Sequence, residues 1–175
     1  MPPAVAAADA REAFTRLLAQ HAGIVRKVAA GYAQGHADRH DLMQEITLQL
    51  WRAWPRYAPE RPFSTWMYRI ALNTAISHLR RATHPQQQTV PLDELGFEPA
   101  AAAADEDDER LALVGRLIAA LDPLNRALLL LYLDDRSYRE IAQILGLSET
   151  NVATKLGRLK ERLRRHLAEL TGDAS

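Results

Sequence analysis

Between Phe63 and Arg81 the stretch FSTWMYRIALNTAISHLRR carries aromatic rings, an amide and several cations at helical spacing. At about 100° per residue, Arg69, Asn73, Ser77, Arg80 and Arg81 form a polar stripe with Trp66 in its middle. Met67, Ala71, Leu72, Ala75, Ile76 and Leu79 fall on the opposite, core-facing side. The chemistry available to the stripe is recognition. An indole stacks on flat rings, an amide pairs with polar edges and guanidinium groups follow phosphates, which together suit unpaired bases on their backbone. Tyr57, in the preceding loop, supplies a second plane. The same indole also suits a tryptophan folded back onto the rim of the bundle.

Two further segments offer surfaces. In DLMQEITLQLWRAW, Leu42, Met43, Ile46, Leu50, Ala53 and Trp54 share the core side, while Asp41, Gln44, Glu45, Gln49 and Arg52 lie opposite, with Leu48 among them and Trp51 beside it. A leucine ringed by polar groups has the composition of an interface anchor with a polar rim, although scattered exposed apolar residues are common. In SYREIAQILGLSETNVATKLGRLKERLRRH, Ser137 and Glu140 have capping-box spacing, Gly146 suits a left-handed helix end and Ser148 suits the next N-cap. The pattern predicts a helix-turn-helix. Val152, Leu156, Leu159, Leu163 and Leu167 form the inner stripe of its second helix. Thr150, Asn151, Thr154, Gly157, Arg158 and Glu161 face outward, with Lys155 at the edge and Arg162 and Arg165 further along. Such a face supplies hydrogen-bonding groups for base edges and cations for phosphates in a major groove. A solvated basic helix would show the same residues.

The formal net charge of zero conceals strong segregation. Residues 150–166 hold Lys155, Arg158, Lys160, Arg162, Arg164 and Arg165 against Glu161 alone, whereas residues 93–109 hold eight acids and no cation. Local charge sets the field that a partner meets, so the zero total does not exclude nucleic acid. The chain has no cysteine, which removes disulfides and thiolate metal sites. His36 and His40 are four apart but lack further nearby ligands, so neither a metal nor a cofactor is expected. No glycine-rich phosphate loop and no nucleophile-base motif is present, which points away from an enzyme. No apolar run approaches the roughly 20 residues of a membrane span and no basic-apolar leader opens the chain, so a cytoplasmic protein without membrane insertion is expected.

Helical periodicity dominates the 175 residues, and the expected fold is all-α, as two small helical domains joined by an acidic flexible linker. Helices are predicted from about Ala10 to Tyr32, Asp41 to Trp54, Ser64 to Arg81, Asp107 to Ala120, Pro123 to Leu131, Tyr138 to Leu145 and Glu149 to Leu170. The expected domains are 10–82 and 107–171. The linker, 83–106, is rich in Pro, Gln, Ala and acid and suits a spacer that buries little.

These segments, in this order, resemble bacterial RNA polymerase sigma factors of the extracytoplasmic-function group of the sigma-70 family. Residues 41–81 look like the family's region 2 and residues 121–167 like its region 4, and the likeness runs from about Arg11 to Leu167. The resemblance implies an alternative sigma factor that binds core RNA polymerase, recognises promoter minus-ten and minus-thirty-five elements and promotes transcription initiation. It assigns Asp41, Gln44, Glu45, Leu48 and Arg52 to the clamp helices of the polymerase β′ subunit. Tyr57, Trp66, Arg69, Asn73, Ser77, Arg80 and Arg81 go to the minus-ten strand, with Tyr57 and Asn73 helping to hold a flipped base. Thr150, Asn151, Thr154, Lys155, Arg158, Arg162 and Arg165 go to the minus-thirty-five duplex, while the second domain rests on the β flap. An anti-sigma factor or other regulator is a further partner that the resemblance leaves open. A basic residue is common in the family at the place of Ala153, a bulkier one at Gly157 and an aspartate near Ser77, so the promoter sequence is left open too.

Overall fold

The computed structural model describes residues 3–83 and 106–172. Among these there are eight α-helices and no strand. The chain divides into two units at Gln87 and Gln88, inside the expected linker. Apart from its first and last residues, that linker lies outside the described residues, as do the acids of 93–105.

The first unit contains α1 (Pro3–Gln20), α2 (Ala22–Tyr32), α3 (His36–Ala53), a 3-10 turn (Trp54–Arg56) and α4 (Phe63–Ala82). Helices α2, α3 and α4 pack on one another, burying Ile24, Val25 and Val28 from α2, Leu42, Ile46 and Leu50 from α3, and Met67, Ala71, Leu72 and Ala75 from α4. Each set recurs at three- and four-residue spacing, the stripe an amphipathic helix turns inward. The expected single helix from Ala10 to Tyr32 is in fact two. At His21 the α-helical pattern breaks, and the Ile24 amide donates to the His21 carbonyl at 3.0 Å. The His21 ring then lies 5.3 Å from that of Phe63, a contact across the unit that local periodicity does not encode.

The second unit contains α5 (Glu106–Ala120), α6 (Pro123–Leu133), α7 (Tyr138–Leu145) and α8 (Glu149–Thr171). Its core draws Leu117 and Leu121 together with Ala127, Leu128 and Leu131 of α6, Ile141 and Ile144 of α7, and Val152, Leu156 and Leu159 of α8. At the junction of α5 and α6 the buried Arg126 donates to the carbonyls of Ala119 (2.6 Å) and Leu121 (3.0 Å). A guanidinium there satisfies acceptors that the end of α5 leaves without helical donors.

The helix-turn-helix is fixed by local hydrogen bonds. Ser137 accepts from the Glu140 amide at 3.2 Å, and Glu140 accepts from the Ser137 amide at 2.8 Å, completing the capping box. Hydrogen bonding from the Ser137 amide holds the Glu140 carboxyl below its usual range. Gly146 sits in the left-handed region at φ 69°, where a side chain would be strained, and the Leu147 amide reaches back to the Ala142 carbonyl. Ser148 then caps α8 by accepting from the Asn151 amide at 3.1 Å.

Candidate functional site

Three surfaces emerge, two in the first unit and one in the second. The first is an open groove of about 570 Å³ walled by Phe14 of α1 and by Met43, Leu48 and Trp51 of α3, with Arg11, His40 and Gln44 also lining it. Phe14 is buried, its ring 5.1 Å from Trp51 and 5.5 Å from Trp54. Leu48 and Trp51 remain 45% and 41% exposed, among the largest apolar surfaces that the first unit leaves in solvent. Asp41, Gln44 and Arg52 are exposed on the same helix. Glu45 is placed differently. It accepts from Arg81 of α4 at 2.5 Å and lies 3.4 Å from His78, whose other ring nitrogen lies 3.0 Å from Asp38. The Arg81 hydrogen bond holds the Glu45 carboxyl below its usual range, although partial burial works the other way.

The second surface surrounds the turn from α3 into α4. Trp66 is half-buried and does not stand alone among cations, as a helical wheel of α4 suggests. Its ring packs 5.0 Å from Tyr57, 5.3 Å from Phe63 and 6.3 Å from Trp54. Tyr57 lies nearly parallel to Trp54, at 5.4 Å and 15°, and its hydroxyl donates to the Arg61 carbonyl at 2.9 Å. These contacts give the 57–62 loop a fixed floor. Arg69, Asn73, Ser77 and Arg80 are exposed along α4, so the stripe borders a built aromatic cluster. Trp54 is the member that the sequence pattern misses: α3 periodicity places it with the core, whereas the 3-10 turn redirects it beneath Tyr57.

The third surface is the outer face of α8. Thr150, Asn151, Thr154, Arg158, Arg162 and Arg165 are exposed, and Lys155 is half-buried at the edge. Lys160 instead points to the other unit-two helices, its Nζ 4.8 Å from the centre of the Tyr132 ring. Toward the end of α8 the inner stripe departs from expectation. His166 is buried and Leu167 is 36% exposed, because seven residues after Leu159 the helix returns to the same face at 166.

A capped helix-turn-helix following a helical unit with an aromatic, cation-edged cluster defines a DNA-reading protein with a second, separate binding surface. The sigma-70 region 2 family model matches residues 17–84, and the sigma-70 region 4 model matches residues 111–163. The sigma factor CarQ of Myxococcus xanthus is 32% identical over 165 residues, covering 92% of each chain. The structure of CnrH in complex with the cytosolic domain of CnrY matches with a TM-score of 0.65 at 25% identity, covering 98% of this chain and 97% of that one. RpoE in complex with the anti-sigma factor NepR from Bartonella quintana shares the fold, with a TM-score of 0.64 at 21% identity over 89% of this chain and 97% of that one. The chain belongs to the sigma-70 family, in its extracytoplasmic-function group. It is an alternative sigma factor, directing promoter recognition and transcription initiation, and its family binds core RNA polymerase and promoter DNA. Members are non-catalytic initiation factors that act on RNA polymerase in the cytoplasm. Among the described residues no helix is long and apolar enough to cross a membrane.

Proposed function

We propose that the three surfaces divide the work of initiation. The groove between α1 and α3, centred on Leu48 and rimmed by Asp41, Gln44 and Arg52, docks on the clamp helices of core polymerase. The cluster of Tyr57 and Trp66 on Trp54, with Asn73 as edge reader and Arg69, Arg80 and Ser77 alongside, captures the melted minus-ten strand. Helix α8 reads the minus-thirty-five duplex, Thr154 and Arg158 through base edges and Lys155, Arg162 and Arg165 through phosphates, while the second unit rests on the β flap. Glu45 and Arg81 join the two surfaces of the first unit: their ion pair ties the polymerase-facing helix to the strand-facing one, and a phosphate competes with Glu45 for Arg81.

The observation that carries this reading is the aromatic cluster. Base stacking on aromatic rings is worth about 1–3 kcal/mol per base, and flipping a base out of a duplex costs a few kcal/mol. Two ready planes beside exposed cations therefore offset much of the opening cost. In this reading the chain works in the cytoplasm, catalyses no reaction of its own and is held in check by an anti-sigma protein, as RpoE of Bartonella quintana is bound by NepR. The test is permanganate footprinting of promoter thymines with core polymerase and Trp66→Ala or Asn73→Ala. Both variants should form closed complexes and fail to open duplex DNA, and a pre-melted bubble should restore part of the signal. Wild-type opening of the duplex by both variants would reduce the cluster to the rim of the core.

A further inference from the structure

Gly157 sits in the interior of α8 on its exposed face, where glycine is the least favoured residue short of proline. Neither usual structural reason for a glycine applies. Its backbone is helical and not left-handed, since the positive-φ glycines described are Gly35, Gly146 and Gly172. Packing does not require it either, because a Cβ added at 157 meets no atom within 4 Å. What singles the position out is its neighbours. On the helix Thr150, Thr154 and Gly157 follow one line, opposite the buried Val152, Leu156 and Leu159. Arg158 and Lys155 stand to one side of that line. As far as Gly157 the face is low along its middle and tall at its cationic edge, and one turn further on the exposed Glu161 continues the line.

We propose that Gly157 is a specificity-determining residue of α8: its missing side chain lets the helix backbone seat close to the floor of the major groove, bringing Thr154 and Arg158 within reach of base edges. Glycine serves close approach of a backbone to a ligand in this way, and short side chains such as threonine read bases only from nearby. The inference rests on the assignment of α8 to the minus-thirty-five duplex.

The proposal separates two effects that usually move together. A side chain at 157 favours the helix and should stabilise the protein, yet it should hold the helix off the DNA. The experiment uses the full-length protein with core polymerase on a promoter fragment and on the same fragment with its minus-thirty-five element scrambled. Gly157→Ala and Gly157→Leu should keep core binding and raise the thermal midpoint of the second unit by about 4–8 °C for the alanine. The preference for the intact element should fall on the order of tenfold, the scale of one lost base contact, and further for leucine than for alanine. Gly115→Ala is the control, since Gly115 is also exposed, helical and clear of any atom within 4 Å but lies on α5. It should gain stability with no change in preference. If Arg158→Ala loses the preference while Gly157→Leu keeps or improves it, the glycine is a bare surface position and the proposal fails. If neither substitution alters the preference, α8 does not read the element, and the assignment falls with the inference.

Discussion

Replacing Leu48 by aspartate should uncouple this protein from core polymerase without unfolding it, and the structure sets the size of the effect. Leu48 is 45% exposed, whereas its neighbours Ile46 and Leu50 are fully buried. Burying a whole leucine side chain is worth about 1.5–3 kcal/mol, so covering the exposed part gains about 0.7–1.4 kcal/mol. Leu48→Ala should therefore weaken core binding by roughly 3- to 10-fold. Leu48→Asp loses the same contact and adds an unpaired carboxylate in the interface, at a further cost of about 1–3 kcal/mol or more, for a total loss of at least about 20-fold. The fold should hold, because the substituted side chain already faces water in the free protein. Ile46→Ala, by contrast, should cost about 2–5 kcal/mol of stability through the cavity it opens among α2, α3 and α4. Competition of labelled wild-type protein for core polymerase gives the affinities, and circular dichroism melts give the stabilities. Wild-type affinity in Leu48→Asp with an unaltered melt would refute the assignment of this face.

Arg158→Ala should relax preference at one minus-thirty-five position at a cost of about 1–3 kcal/mol, whereas Arg162→Ala should weaken all sequences alike and flatten the salt dependence; a randomised library read at two salt concentrations distinguishes them. Arg126→Met should destabilise the second unit by about 1.5–3 kcal/mol, since the carbonyls of Ala119 and Leu121 lose a charged donor; chemical denaturation measures it. Because the Arg81 hydrogen bond depresses the Glu45 carboxyl, its stabilisation is present above the usual glutamate range and is lost as pH falls through that range and below. The melting temperature of the first unit should then fall less steeply on acidification in Glu45→Gln than in wild type, and equal slopes would rule out the pair as a contributor. Ser137→Ala should cost about 0.5–2 kcal/mol by removing the α7 cap, read by thermal melting.

What the sequence discloses is what local chemistry determines. The capping box of Ser137 and Glu140, the left-handed Gly146 and the Ser148 cap span at most a few residues each, and each is found where its spacing predicts. The core stripes of α3 and α4 are equally legible at Leu42, Ile46 and Leu50 and at Met67, Ala71 and Leu72. Partners distant in sequence are not. A helical wheel strands Trp66 among arginines because it cannot see Trp54 and Tyr57, which a 3-10 turn brings beneath it. It places Glu45 and Arg81 on different surfaces, although the fold returns one to the other across a sequence separation of 36. The break at His21 is only half legible, since Gly23 two residues on is a weak local signal whereas the ring contact of His21 is with the distant Phe63.

In the proposed division of work the first unit opens one promoter element and the second unit reads another, both in the service of core polymerase. Mapping the 5′ ends of transcripts made on genomic DNA by core polymerase with and without this protein tests that claim most directly. Starts that appear only with the protein should share two sequence elements at a fixed separation, and Trp66→Ala and Arg158→Ala should deplete them through different elements. Protein-dependent starts sharing only one element, or none, would contradict it.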